Sequence, residues 1–570
     1  MFKRLAWIAP AVIAATVVAG AQDAKAVLDK VTKAMGAGGV TSVTYSGTAA
    51  DVNFLQTKNI NGPWPLRPIT GYVRTIDLSQ TALRSSGATS NQGLFGGAPV
   101  AGVFNQNITP TTAAWAQQLD YWITPWGFLR GAAAYNATMK PAKVDGKNYT
   151  AITWSPLQPK APSGANYVVI GYVNGDDMIE RVETWTDHGV LGDMLVDVTY
   201  SNYKDFGGLK VPTKIVQKRG GYTFFDTTIA DAKANPPDLA ALLTPPARGG
   251  GPGGAPGGRA GGAPGGAPAP GAQAAAPGPR GGAPGAPGAP PPGAGAPGAR
   301  GAGAPGAGGP PAGGPPAGGP PAGAPGAQAG APGAPRGGGP AAPGGAPAAP
   351  QIGSTKVAEG VYLITAPYNA LAVEFKDYIV VVEAGQSVAT GQNILTEVKK
   401  VYPNKPIRYI VNTHPHEDHS LGLAPFVAEG AEIVTYKNNK KFLENAFSTP
   451  RTLLSDSLAQ NKRKPKVMGI GEKHVFKDGN HSLELHHIID TDPEKVHSDG
   501  IIVAYLPKEK ILFQADFTLP AAGAMPNPFV QSLGANMGKL KLDFDRYLGV
   551  HPSQTPQTRQ DLMTATGVKY

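Results

Sequence analysis

The chain has no cysteine among its 570 residues. That excludes disulfides, thiolate metal ligands and a Cys nucleophile, so any metal site must be built from His, Asp and Glu. Beyond the N-terminal apolar segment, no run approaches the ~20 apolar residues that a membrane-crossing helix needs. Excess basic charge is also scarcer than it looks. Of the formal +10, Lys3 and Arg4 lie at the N-terminus, and Arg248, Arg259, Arg280, Arg300 and Arg336 lie in an acid-free tract. Only a small positive excess remains elsewhere, so no nucleic-acid partner is expected. Residues 247–350 hold almost no large apolar side chain, and tryptophan is absent from residues 351–570.

What is present is concentrated in Thr413 to Ser420, T-H-P-H-E-D-H-S. The apolar run Ile407 to Val411 precedes it and reads as a buried strand, so the cluster falls where a strand gives way to a loop. His414 and His416, two apart in extended chain, can turn their rings to one side and share a metal. Asp418 and His419 follow where the chain turns, and suit a second metal beside the first. An exposed polar loop is the plain alternative. Five metal-capable side chains in six positions argue against it.

The length implies more than one domain. Residues 1–21 read as a secretory signal peptide: Lys3 and Arg4, an apolar stretch Leu5 to Val18, then Ala19-Gly20-Ala21 before Gln22. The expected location is periplasmic or secreted, with no integral membrane span after cleavage. Residues 22–246 form a β-rich region, mostly antiparallel with one helix from about Asp23 to Met35. Strands are expected over Val43 to Gly47, Tyr167 to Tyr172, Ile179 to Trp185, Leu195 to Tyr200 and Val211 to Gln217. Asn174 to Asp177 reads as a hairpin turn. Trp64, Trp115, Trp122, Trp126, Trp154 and Trp185 all lie here; they fit a core with partly exposed edges or a groove for an apolar ligand. Residues 247–350, almost wholly Gly, Pro and Ala, read as a disordered linker averaging roughly 55 Å end to end. In residues 351–570, strands, a helix, a strand, a helix and further strands indicate an α/β class.

Two resemblances add to this. Tyr200 to Thr213, a strand, a Gly turn and a V-P-T strand, resembles the later strands of lipoprotein-carrier-like half-barrels, over that hairpin alone. His414-Pro415-His416-Glu417-Asp418-His419 matches the H-x-H-x-D-H signature of the metallo-β-lactamase superfamily. Tyr378 to Gly385 resembles that family's early strand, with Glu383 where Asp is commoner. His497 to Gly500 resembles the third-histidine motif, and Leu512 to Phe517 the strand that ends in a bridging aspartate. Gly549 to Pro552 resembles the final-histidine motif, with Pro where Gly is commoner.

The resemblance implies an αββα sandwich with metals at one edge of two sheets. It implies two Zn2+ per chain: His414, His416 and His497 on the first, Asp418, His419 and His551 on the second, and Asp516 between them. Asp418 would also orient a metal-bound hydroxide. Glu383 is a candidate acceptor for a ligand N–H. Glu417 would be a ligand in a related di-iron branch, but His416 holds the equivalent place here, which favours hydrolysis over redox chemistry. The implied activity is that of an exported dizinc hydrolase opening a small-molecule ester, lactone, thioester or lactam. The alternatives are a β-lactamase proper and an envelope ligand-binding protein with a vestigial metal domain. His188, His474, His481, His486 and His487 read as packing or surface residues.

Overall fold

The computed structural model describes residues 17–91, 100–245, 352–489, 492, 496–521, 524–553 and 555–569. The tract read as a linker and most of the segment read as a signal peptide lie outside these residues.

The N-terminal region is one antiparallel sheet of eleven strands. Ser42–Val52, Leu66–Asp77, Ala82–Asn91 and Val100–Ile108 run outward as a meander. A second meander starts at the far edge with Thr138–Val144 and returns through seven strands to Tyr222–Ala234, which pairs with Ser42–Val52. The chain therefore has to cross the sheet once, between Ile108 and Thr138. It does so as two helices not anticipated from the sequence, Trp115–Trp122 and Pro125–Ala134. Pro125, Trp126, Gly127, Phe128 and Leu129 are all buried. A helix covered on nearly every side shows no apolar stripe, which is why periodicity did not reveal it. Thr124 caps it, accepting from the Gly127 amide.

The first helix spans Val17–Ala34 and so begins before Asp23, where the sequence placed its start. Its buried residues Ala24, Leu28 and Val31, with Met35 just beyond its end, face the sheet. Trp115, Trp122, Trp126 and Trp154 are buried in the same core. These four build the core, Trp64 is buried in a second cluster, and Trp185 is partly buried against the first. The hairpin turn at Asn174 is present: its backbone N–H donates to Met178, and Asp177 takes φ of 56°.

The C-terminal region is an αββα sandwich. One sheet has seven strands, antiparallel over its first four and parallel from Ile379–Val382 through Ile407–Val411 and Glu432–Tyr436 to Val467–Ile470. The second sheet has five strands, Lys473–Lys477 to Arg546–Gly549. Leu371, Val373, Val380, Val382, Leu485, Ala504 and Phe513 interdigitate between the sheets. Helices Val388–Val401 and Leu423–Glu429 cover the outer face of the first sheet. Helix Pro528–Leu540 covers the second.

The two regions share a core. Val52, Leu55, Ile60, Trp64, Val190, Leu191 and Met194 pack in the same buried cluster as Ile394, Phe426 and Phe447. Around it, Asp193 receives hydrogen bonds from the Thr452 amide at 2.7 Å, the Thr452 hydroxyl at 2.6 Å and the Leu453 amide at 2.8 Å. Thr449 donates to the Leu191 carbonyl at 2.8 Å, and Arg451 to the Gly189 carbonyl at 2.9 Å.

Candidate metal centre

Ile407–Val411 lies between two parallel neighbours, and its chain exits at the edge of the sheet into Asn412–His416. Asn412, fully buried, donates to the His419 carbonyl at 2.9 Å and closes the turn on itself. Helices Glu417–Ser420 and Leu423–Glu429 follow. Gly422 between them runs against strand-end backbone: a Cβ there would lie 1.9 Å from the Ala384 carbonyl oxygen.

This turn delivers imidazoles to one point. His414 Nε2 and His416 Nδ1 are 3.0 Å apart, and His414 Nε2 and His497 Nε2 are 3.3 Å apart. Asp516 Oδ2 lies 3.1 Å from His414 Nε2 and 2.7 Å from His497 Nε2. The other oxygen, Asp516 Oδ1, lies 3.2 Å from His419 Nε2 and 2.5 Å from His551 Nε2. Two potential metal-holding groups result: His414, His416, His497 and Asp516, and His419, Asp516 and His551. One carboxylate faces both.

The tautomers are fixed from behind. The Thr413 hydroxyl donates to Glu383 Oε1 at 2.5 Å, so its oxygen is left to accept from His414 Nδ1 at 3.1 Å. Glu383 Oε2 accepts from His419 Nδ1 at 3.0 Å. His416 Nε2 lies 3.0 Å from the Thr57 carbonyl, which can only accept. In each ring the proton is thereby drawn away from the centre, and the lone pairs of His414 Nε2, His416 Nδ1 and His419 Nε2 converge on it. Lone pairs 3.0 Å apart repel unless a cation lies between them, so this donor set fits a metal ion.

Charge divides the rings: burial keeps His414 and His416 from protonating, whereas the carboxylates around His419 draw positive charge onto it. Burial, reinforced by the neighbouring His419, pushes His414 down to about 4, and burial with His414 and His497 pushes His416 well below its ordinary value. Burial alone would also lower His419, but Asp516, Glu383 and Asp418 together raise it well above. Burial disfavours the ionised Asp516, yet His419 and His497 hold it well below the usual carboxylate range. Glu383 and Asp516 both sit just past strand ends with φ of 74° and 64°. L-residues avoid this left-handed backbone, and it turns both carboxylates into the site.

Asp418 is placed differently from the other six. Its Oδ2 is 3.7 Å from His419 Nε2, and it joins neither group. Gln56 Nε2 donates to its Oδ1 at 2.7 Å, and the Tyr368 hydroxyl to its Oδ2 at 2.8 Å. Burial would raise it, but His419, Gln56 and His416 outweigh that and hold it low.

The remaining histidines are tied elsewhere. His486 Nε2 pairs with Glu484, and His487 stacks on Tyr436 and faces the Asp499 carbonyl. His481 pairs with Glu509, and the ring of His474 packs on Phe476. His188 is buried at the junction of the two regions. Its Nδ1 accepts from the Val190 and Leu191 amides, so Nε2 carries the proton and donates to Glu417 at 3.0 Å. Glu417 is thus engaged by His188 rather than by the histidine cluster. Gln56, Thr57, Tyr368 and His188 carried no sequence signal, being an isolated amide, a backbone carbonyl, a lone phenol and a lone imidazole.

Residues 364–554 match the model of the metallo-beta-lactamase superfamily, and the C-terminal region belongs to that superfamily. The chain is 22% identical over 187 residues to the 2,4-dinitroanisole O-demethylase subunit alpha of Nocardioides sp. (strain JS1661), covering 32% of this chain and 52% of that one. It is 39% identical over 57 residues to the linear primary-alkylsulfatase of Pseudomonas sp. (strain ATCC 19151), covering 10% of this chain and 11% of that one. It thus spans about half of the first relative and about a tenth of the second. Among solved structures, a metallo-beta-lactamase from Pontibacter korlensis aligns with a TM-score of 0.30 and 20% identity, over 38% of this chain and 98% of that one.

Proposed function

We propose that the protein is a dinuclear, zinc-dependent hydrolase of a small-molecule ester, lactone, thioester or lactam. Asp516 carries the reading: its two oxygens face two separate imidazole groups. His414, His416, His497 and Asp516 would hold one ion, and His419, His551 and Asp516 the other. Two such ions would supply a nucleophilic water at neutral pH and polarise the bond to be cleaved.

The chain's own residues do the rest. Thr413 and Glu383 keep the ring protons of His414 and His419 turned outward. Asp418, held by Gln56 and Tyr368, presents an ionised carboxylate beside His419, where it can orient a polar group. The His551 side chain is 33% exposed, whereas those of His414, His419 and His497 are 5% exposed or less. Substrate therefore approaches past His551. The relatives' printed names widen the panel of bonds to sulfate esters and aryl ethers. Against the ligand-binding alternative, Trp115, Trp122, Trp126 and Trp154 are core residues and not the lining of a groove.

The test is metal quantification on purified protein. It runs alongside hydrolysis of a chromogenic cephalosporin, a lactone, an aryl ester, a thioester, an alkyl sulfate and an aryl methyl ether. Two metals per chain, with turnover of one class that vanishes in Asp516→Ala, is the expected result. No bound metal would sink the proposal. The export signal at residues 1–21 supports a periplasmic or secreted location; an intact N-terminus on protein recovered from the cytosol would overturn that part.

A further inference from the structure

We propose that the 53–65 loop of the N-terminal sheet is a structural part of the metal centre, and that Gln56 is a positioning residue for Asp418. The inference rests on the dinuclear reading above. Four consecutive residues of this loop each reach a different part of the centre. The Leu55 carbonyl accepts from the Glu417 amide at 3.2 Å. The Gln56 amide donates to Asp418 at 2.7 Å. The Thr57 carbonyl accepts from His416 Nε2 at 3.0 Å. The Lys58 carbonyl accepts from the Asp499 amide at 2.8 Å, two residues past His497. Glu417, Asp418, His416 and the His497 loop are therefore all tied to one short stretch of another sheet.

The loop is built to hold that shape. Leu55 takes the left-handed backbone at φ of 55° while fully buried in the shared core. A β-region residue there would not bring carbonyl, side chain and carbonyl to successive partners. Phe54 packs edge-on against Trp64 and His188, Trp64 stacks on Tyr222 at 3.9 Å, and Asn61 donates to the Asn438 carbonyl at 2.6 Å. His188 in turn donates to Glu417. The loop is thus braced on both sides of the residues that touch the centre.

The consequence is selective. The Gln56 amide and the Tyr368 hydroxyl together fix the plane of the Asp418 carboxylate, whose Oδ2 lies 3.7 Å from Nε2 of His419 in the second group. Removing the amide frees one oxygen and lets the carboxylate rotate. Replacing it with a carboxylate puts two acceptors face to face. Either change disturbs the second group and leaves the first intact.

The experiment is chelator competition on the full-length protein with zinc alone, resolving the first and second equivalents, for wild type, Gln56→Leu and Gln56→Glu. Loss of a partner that orients a metal-site residue typically lowers affinity by about 10–100-fold. The expected result is a second equivalent weakened by that factor in both variants, with the first unchanged. Variants that bind both equivalents like wild type would overturn the proposal and leave the dinuclear reading standing. Equal weakening of both equivalents would also overturn it, since that is loss of structure and not of position. A wild type that binds fewer than two equivalents would overturn the dinuclear reading and this proposal with it. If Gln56→Leu does not fold, the near-isosteric Gln56→Glu decides alone.

Discussion

The C-terminal sandwich and the N-terminal sheet both reach the metal centre, but with different chemistry. The sandwich brings imidazoles and carboxylates from four separate connecting segments: His414 to His419, His497, Asp516 and His551. The sheet brings one amide, Gln56, and the carbonyls of Leu55, Thr57 and Lys58. A ligand must be a particular side chain, because only imidazole or carboxylate offers a lone pair of the right strength. A carbonyl that fixes a tautomer can belong to any residue, provided the backbone places it. The sandwich therefore carries the identity of the centre, and the sheet carries part of its shape.

The sharpest way to break that division is at Asp516. Asp516→Ala removes the one group that faces both imidazole sets. It should abolish dinuclear loading and lower turnover by several kcal/mol of barrier, about 10³-fold. Elemental analysis with single-turnover kinetics checks it. Near-wild-type metal content would mean that the two sets are not joined through this carboxylate.

A smaller effect is expected at Glu383, which accepts from the Thr413 amide and hydroxyl and from His419 Nδ1. Glu383→Gln keeps the volume but presents an N–H to one of those donors, so one ring must turn or change tautomer. Because the carboxylate serves His414 and His419 together, zinc affinity should fall about 10–100-fold at both equivalents. The contrast with Gln56, where only the second should weaken, separates support from the sandwich and support from the sheet. A Glu383→Gln protein that weakens one equivalent alone would erase the contrast.

These two positions also show what the sequence made legible. Glu383 was accessible as an acid at the end of an apolar strand, and the ligand motifs stood out because His is rare and several fall within one turn. The strands of the sandwich were legible for a related reason: Ile379–Val382 is buried on both faces and reads as a short apolar run, and Ile407–Val411 is interrupted only by the exposed Arg408 and the half-buried Tyr409. The crossing helices of the sheet were not, because burial on all sides erased the period that marks a helix. Nor was the 53–65 loop, because Leu55, Gln56, Thr57 and Lys58 act mainly through backbone atoms whose direction no side-chain pattern encodes. Asp418 was read as a ligand from its place in the motif. Its hydrogen bonds to Gln56 and Tyr368 depend on residues 362 and 50 positions away and could not be read there.

Asp193 tests the junction without touching the centre. Its carboxylate satisfies the Thr452 and Leu453 amides and the Thr452 hydroxyl. Asp193→Ala leaves those donors unpaired in a largely buried place and should cost about 2–3 kcal/mol. A lower thermal midpoint with unchanged metal content is the expected outcome, followed by calorimetry and elemental analysis. If zinc were lost as well, the junction and the centre would be coupled more tightly than their separate hydrogen bonds indicate.

The smallest effect is expected from cutting the chain between the two regions. With a protease site placed within residues 247–350, the purified protein can be cleaved and passed over a sizing column. A tether of this length raises the local concentration of its ends only to about the millimolar range. It would therefore matter only if the contact it joins were weak. Here Val52, Leu55, Ile60, Trp64, Val190, Leu191 and Met194 are buried together with residues of the sandwich, and Asp193 and Thr449 close hydrogen bonds around them. Contacts of this kind resemble a domain core more than a transient interface. Co-elution of the two pieces with their metal retained is the expected outcome. Separation with loss of the second zinc equivalent would show that the tether holds the 53–65 loop at the centre, and would move that role from the shared core to the linker.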